Sequence, residues 1–399
     1  MNRPTYIAGL GIVSAIGNDL HKNLQSLNAG NTGIGTMTRL QSIHQGELPV
    51  GEVKYSNTEL AASTGLSAKF PRTALLSCLA AREALLDAGW EKISSGRTGF
   101  ISANTVGGMD KTENFFRFYT KNRTAGKLAD VVHHECGAVT ELVAGHLGIR
   151  HFVSTVSTAC SSSANAIFTG ARMIRAGLLD YALVGGADAL TRFTLNGFNT
   201  LMILDKELCK PFDENRHGLN LGEGAAYLLL ASEKGLEQLS KKPYARVSGY
   251  ANANDAFHQT ASSPEGTGSF LAMKGALIHA GLQPADIDYI NLHGTGTHNN
   301  DLAEGTAIRL LFDPAFPKMS STKGYTGHTL GASGAVEAVY SVLAIHQGMI
   351  FPNLRLQTPM KEFPFQPETV FLKNQHVHHV LSNSFGFGGN CSSLIFSAA

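Results

Sequence analysis

Cys160 lies in "VSTVSTACSSSANAIFTGARMI" (Val153–Ile174), where a β-branched stretch gives way to small residues and then to helical spacing. A thiol at a strand-to-helix junction is placed to react. The turn lifts the sulfur out, backbone N–H groups can hold an oxyanion there, and a helix N-terminus favours the thiolate. A lone cysteine is more often a small buried hydrophobe, so the question is what could join it. His293 ends the apolar run "IDYINL" and opens "HGTGTHNND", while His328 stands between a strand and a helix in "STKGYTGHTLGASGAVEA". Lys323 comes shortly before His328, and Glu337 follows in the helical run. The loop "NSFGFGG" (Asn383–Gly389) sets two phenylalanines among small residues, which suits close backbone approach and an aromatic gate. A thiol with two imidazoles in matching strand-end loops is less easily dismissed as structural, since this is the set of groups that nucleophilic catalysis uses.

These residues need a scaffold with many strand-to-helix turns, and the chain supplies one. Short apolar strands ("TYIAGLGIVS", "RTGFISANT", "LDYALVGGADAL", "GAAYLLLAS") alternate with helical patterns such as "TALLSCLAAREALLDAG", which stops at Gly89. That alternation predicts an α/β fold with a largely buried sheet. The second half echoes the first. "YARVSGYANAND" matches the opening strand and turn, "IDYINLHGTGT" matches "RTGFISANTVGG", and the strand-turn-helix at Cys160 has its counterpart in "PKMSSTKGYTGHTLGASGAVEAVYSVLAI". Residues 1–243 and 244–399 therefore read as two versions of one supersecondary plan, with ligands expected beyond the carboxyl ends of the strands.

Composition narrows the function classes. The 399 residues are 43% hydrophobic with formal net charge +1, which provides a large core and no basic stripe for nucleic acid. The five cysteines are scattered without a CxxC pair, so neither a disulfide framework nor a cysteine zinc site is expected, and a reducing cytoplasm is. The N-terminus lacks a signal-peptide core, and no stretch reads as a membrane span. "GLGIVS" lacks the third glycine and distal acid of a dinucleotide fingerprint. Alternation along a strand would split His376–His379 between two faces, and surface positions are expected there and at His133–His134, so no metal is expected. Lys69, Arg72, Lys127 and Arg216 are candidate contacts for an acidic partner.

Taken together, "STACSSS", "LHGTGT", "STKGYTGHTLGASGAVE", "NSFGFGG" and "KPFDENRHGLNLGEGAA" resemble the motif set of the β-ketoacyl-[acyl-carrier-protein] synthases, in the elongating, two-histidine branch of the thiolase superfamily. The resemblance runs from about Tyr6 to Phe396. It implies a thiolase fold, with duplicated α/β halves in five layers, α/β/α/β/α. Cys160 then matches the acyl-accepting nucleophile. His293 and His328 match the pair that supports decarboxylation, and Lys323 the lysine that organises the site. Glu337 matches a buried acidic partner, and Asp301 an acid in the lysine's network. Phe387 resembles the gating phenylalanine whose N–H completes an oxyanion hole with that of Cys160, and Thr295 and Thr297 match hydroxyls that contact phosphopantetheine. Two positions depart from the pattern: Gly296 stands where serine is common, and Cys391 where asparagine often orders the gating loop.

The implied reaction is a decarboxylating Claisen condensation with malonyl-acyl carrier protein, in fatty acid or polyene/polyketide elongation. No cofactor is implied beyond the phosphopantetheine that the carrier brings. The family is dimeric, so a homodimer is expected, with a heterodimer of related ketosynthase and chain-length subunits as the alternative. Two rival readings are a silent chain-length-setting subunit, which Cys160 opposes, and a coenzyme-A-dependent thiolase-like or starter synthase, which the histidine pair opposes.

Overall fold

The computed structural model describes residues 3–90 and 96–399. The first part of the chain supplies β1 (Tyr6–Val13), β2 (Ile34–Gly35), β3 (Val50–Gly51), β4 (Thr98–Ala103), β5 (Phe152–Val156), β6 (Tyr181–Asp188) and β7 (Gly224–Ala231). The second supplies β8 (Ala245–Asn254), β9 (Tyr289–Asn291), β10 (Lys318–Ser320), β11 (His379–Phe385) and β12 (Asn390–Ser397). β2 and β3 form a small antiparallel pair, and the others run in the order β10-β9-β11-β12-β8-β1-β7-β6-β4-β5.

The two ends of that order repeat one pattern of pairing. β4 is parallel to β5 and to β6, while β7 is antiparallel to β6 and to β1. Correspondingly, β9 is parallel to β10 and to β11, and β12 is antiparallel to β11 and to β8. The halves touch along β1 and β8 only at Tyr6–Arg246 and Ile7–Ala245.

Strand alternation shows how the layers stack. Tyr227 and Leu229 of β7 pack outward with Leu75, Leu76 and Ala80 of the helix Arg72–Asp87. Leu228 and Leu230 point inward, to a core shared with Ile167 of the helix Ser162–Arg175 and Val339 of the helix Ser333–Gln347. From the second half, Val380 and Leu394 join that central core. Leu381 and Ile395 face the helices Thr267–Ala280 and His298–Phe312 on the far side. The result is helix, sheet, paired helices, sheet, helix: the five layers of a thiolase fold. With both faces covered, β6 and β7 read as continuous buried runs rather than alternating ones.

This packing also explains "GLGIVS". A Cβ at Gly9 would lie 2.2 Å from the Ala84 carbonyl oxygen and one at Gly11 2.0 Å from that of Ala80. These glycines let β1 press against the helix behind it. No helix among the described residues is long and apolar enough to cross a membrane.

Candidate active site

The nucleophile turn is built from small hydroxyl residues. Ala159, just before Cys160, is held in the left-handed region at φ 52°, a conformation costing a non-glycine residue about 1–2 kcal/mol. Ser162 clamps it: its Oγ donates to the Ala159 carbonyl at 2.5 Å and accepts from the Thr158 N–H at 2.7 Å. Cys160 thus projects just ahead of the helix Ser162–Arg175, at the floor of a narrow tunnel of about 70 Å3. Lining this tunnel are His293, His328, Thr295, Thr297, Phe385, Phe387 and Phe198, among others.

The three reactive groups converge. Ligand atoms of Cys160, His293 and His328 all lie within 4.8 Å of one another, and the two imidazole centroids are 5.3 Å apart at 85°. Hydrogen bonds on the far side of each ring fix its tautomer. His328 Nδ1 accepts from the Leu330 N–H at 3.1 Å, and His293 Nδ1 accepts from the Lys323 ammonium at 3.2 Å. Each ring therefore carries its proton on Nε2. Burial, and then the Lys323 charge, lower both histidine pKa values well below the usual range, so both rings are neutral at pH 7. Two neutral N–H donors face one spot.

Lys323 is almost fully buried and uses all its protons, on His293 Nδ1, the His293 carbonyl and Glu337. Glu337 also accepts from Ser333 at 3.2 Å; burial raises its pKa while Lys323 pulls it down. The sequence placed Asp301 in the lysine's network, but the structure places it elsewhere. Its carboxylate accepts from the Phe212 and Gly296 N–H groups and pairs with Arg216 at 3.7 Å. It shapes the turn after His293 without touching Lys323. Thr295 and Thr297 share a hydrogen bond of 2.9 Å in the tunnel wall.

The thiol departs from expectation. Burial pushes the Cys160 pKa up to about 11, against the Lys323 charge and the N–H groups of Phe387 and Cys160, which favour the thiolate. The resting nucleophile is a thiol. Those same two N–H groups face the sulfur and could receive an oxyanion once a carbonyl carbon is bound there.

Two expected docking side chains are corrected as well. Arg72 is buried in a bidentate pair with Glu223 (2.9 and 2.7 Å), and Arg216 is buried against Asp301. Of the four candidates, Lys69 and Lys127 are exposed. The histidine clusters also have ordinary partners: His134 meets Thr112, His379 meets Ser397, and His376 stacks on His378.

Two site residues escaped the sequence reading. Glu304 is fully buried beneath His293, accepting from the His293 and Gly294 N–H groups (2.9 and 2.8 Å) and from Asn383 (3.0 Å); burial raises its pKa to about 7. Its one sequence signal was an acid one helical turn past Asp301. Asn390 takes over from the missing asparagine at 391. Its Oδ1 accepts from Ser161, Asn165 and Asn252, which ties the Phe387 loop to the nucleophile turn. Phe387 itself stacks on Phe198 at 5.6 Å.

A five-layer fold with a thiol under two imidazole donors defines a thiolase-fold enzyme of thioester chemistry. Comparison with known proteins narrows that class. The profile "Beta-ketoacyl synthase, N-terminal domain" matches residues 2–235, and "Beta-ketoacyl synthase, C-terminal domain" matches residues 244–357. The chain is 31% identical to 3-oxoacyl-[acyl-carrier-protein] synthase 2 of Staphylococcus aureus (strain COL), covering 99% of this chain and 98% of that protein. Among solved structures, "the ishigamide ketosynthase/chain length factor" superposes with TM-score 0.95 at 28% identity, covering all of both chains. The ketosynthase ApeO, in complex with its chain length factor ApeC from Xenorhabdus doucetiae, superposes at 0.86 with 32% identity, covering 100% and 98% of the two chains. The chain belongs to the beta-ketoacyl synthase family and is an acyltransferase.

Proposed function

We propose that this enzyme condenses an acyl chain held on Cys160 with malonyl-acyl carrier protein, giving 3-oxoacyl-carrier and carbon dioxide, as one elongation step in fatty acid or polyene/polyketide synthesis. The convergence of the Cys160 thiol with a ring nitrogen of each neutral histidine within 4.8 Å carries this reading. In the first half-reaction the Cys160 sulfur attacks the acyl thioester, the N–H groups of Cys160 and Phe387 hold the oxyanion, and the thiol proton leaves with the carrier's thiol. In the second, malonyl thioester loses carbon dioxide. The Nε2–H groups of His293 and His328 hold the enolate oxygen, and the carbanion attacks the acyl-Cys160 carbon. Each donor of this kind is worth about 10²–10³ in rate. Cys160 leaves as a thiolate whose pKa is near 11, so it takes up a proton, and each turnover consumes one.

Phosphopantetheine on the carrier is the only prosthetic group the cycle calls for; that Thr295 and Thr297 line the pocket with Cys160 supports a contact of their hydroxyls with it. We infer that residues 1–243 and 244–399 are two copies of one plan, supported by the repeated strand pairings. A second ketosynthase-type chain, a copy of this one or a chain-length subunit, is expected to cover the half-buried edge strand β5 and the exposed Phe116, Phe118, Leu128 and Val132. Incubation with acyl-carrier thioester followed by intact-mass measurement tests the reading. The expected gain is one acyl group, lost in Cys160→Ala, while that variant still releases carbon dioxide from malonyl-carrier. A native protein that gains no mass would instead be a silent subunit.

A further inference from the structure

Asp188 is the last residue of β6, fully buried, and makes no ion pair among the described residues. Its carboxylate instead accepts four hydrogen bonds from two distant segments. The Thr105 N–H (2.9 Å), Thr105 hydroxyl (2.7 Å) and Val106 N–H (3.2 Å) come from the loop after β4, and the Gly331 N–H (2.7 Å) comes from the turn after His328. That turn is strained. Leu330 is a non-glycine residue at φ 53°, and it is the Leu330 N–H that occupies His328 Nδ1. The fit at Gly331 is close: a Cβ there would lie 2.8 Å from Asp188 Oδ2 and 2.9 Å from Thr105 Cγ2.

We propose that Asp188 is a positioning residue for the decarboxylation step, holding the Leu330–Gly331 turn so that His328 keeps its proton on Nε2 and aims it at the enolate oxygen. The chain of contacts is short: Asp188 to the Gly331 N–H, the adjoining Leu330 N–H to His328 Nδ1, and Nε2–H into the tunnel. The acyl-transfer step uses the N–H groups of Cys160 and Phe387, which Asp188 does not touch. Asp188 therefore separates the two half-reactions. Its other end fixes Val106, which shares an apolar cluster with Leu330, Leu190 and Leu219. The same carboxylate thus braces both sides of that cluster.

This inference rests on the proposed condensation, and the two fail differently. In full-length enzyme, Asp188→Asn turns one acceptor oxygen into an amide NH2 facing N–H donors, and Gly331→Ala pushes the same contact apart from its other end. Misplacement of one donor by about 1 Å predicts a fall of roughly 10- to 100-fold in carbon dioxide release, with acylation of Cys160 within about threefold of native. The double variant should be no slower than the worse single one. Imidazole nitrogen NMR should move His328 from a pure Nε2–H tautomer to a mixture. Equal slowing of both half-reactions, or native decarboxylation with a shifted turn, overturns the proposal. If Asp188→Asn does not fold, Gly331→Ala carries the same comparison. Native enzyme that cannot be acylated refutes the condensation itself, whereas native enzyme that performs both steps beside variants that match it refutes only the role of Asp188.

Discussion

The Lys323–Glu337 pair separates what holds the site together from what makes it work. Both side chains are 2% exposed, and among the described residues each is the other's only counter-charge in direct contact. Removing one partner of such a pair strands the other and costs about 3–5 kcal/mol, whereas replacing both with apolar residues of similar size is often nearly neutral. The two single variants should not be equal. In Lys323→Met, Glu337 can escape by taking a proton, since burial already raises its pKa, so the cost falls near 3 kcal/mol. In Glu337→Met, Lys323 keeps only its bonds to His293, so the cost falls near 5 kcal/mol. The double variant should unfold in denaturant much closer to native than either single one. Activity should follow a different order. Without the Lys323 ammonium, His293 Nδ1 loses the donor that fixes its tautomer, so both variants lacking the lysine should release carbon dioxide from malonyl-carrier about 10²–10³ more slowly. Stability returns in the double variant and decarboxylation does not. Additive stability losses, or decarboxylation restored along with stability, would refute this account of the lysine.

Further expectations concern pH, the buried arginine and the gate. The unfolded chain protonates His293 and His328 near pH 6.5, while the folded chain does so only well below that. Between those values the unfolded state binds the extra protons, so acidification from pH 6.5 toward 5 should cost up to about 1.4 kcal/mol per pH unit per imidazole. Because buried Glu304, raised to about 7, titrates with the opposite sign there, the cost is read as the difference in pH slope between native enzyme and a His293→Asn, His328→Asn variant, and equal slopes contradict it. Arg72→Met strands buried Glu223 and should cost about 3–5 kcal/mol in denaturation. The salt dependence of KM for carrier should be unchanged, because Arg72 is not a surface contact; a flattened salt slope would return it to the docking face. Asn390→Ala removes the acceptor shared by Ser161, Asn165 and Asn252 and should slow acyl transfer to Cys160 more than it slows malonyl decarboxylation. Equal effects on the two steps would place its role elsewhere.

What could be read in the sequence was local. The strand before Cys160, the small residues after it, and the position of His293 just past its strand follow from period and residue type; His328 differs, since a short helix, Lys323–Thr326, separates it from the strand Lys318–Ser320. What could not be read depends on burial. Arg72 and Arg216 look like surface cations because arginine is mostly exposed, yet each is enclosed by a carboxylate far away in sequence, Glu223 and Asp301. The helix start at Cys160 suggested a lowered thiol pKa, but complete enclosure outweighs the turn and the Lys323 charge. Asp188 carries no pattern of its own, and the helical spacing of Glu304 from Asp301 does not reveal its role. Each acquires its role from backbone N–H groups that only the fold brings to it.

The meeting of Cys160 with His328 has a specific steric cause. The helices that follow them, Ser162–Arg175 and Ser333–Gln347, occupy equivalent places in the two halves and touch near their N-termini. There the Ala335 N–H donates to Ser163 Oγ at 2.8 Å, and a Cβ on Gly334 would stand 2.8 Å from the Ala164 nitrogen. Such close approach is open only to small residues, so "CSSSA" and "GASGA" serve two ends. Each makes a tight turn that presents a reactive side chain, and each lets its helix pack against the other. The Cys160 thiol and the His328 imidazole are thereby set at a fixed separation by backbone contact rather than by flexible side chains. That is the preorganisation an oxyanion-binding site requires.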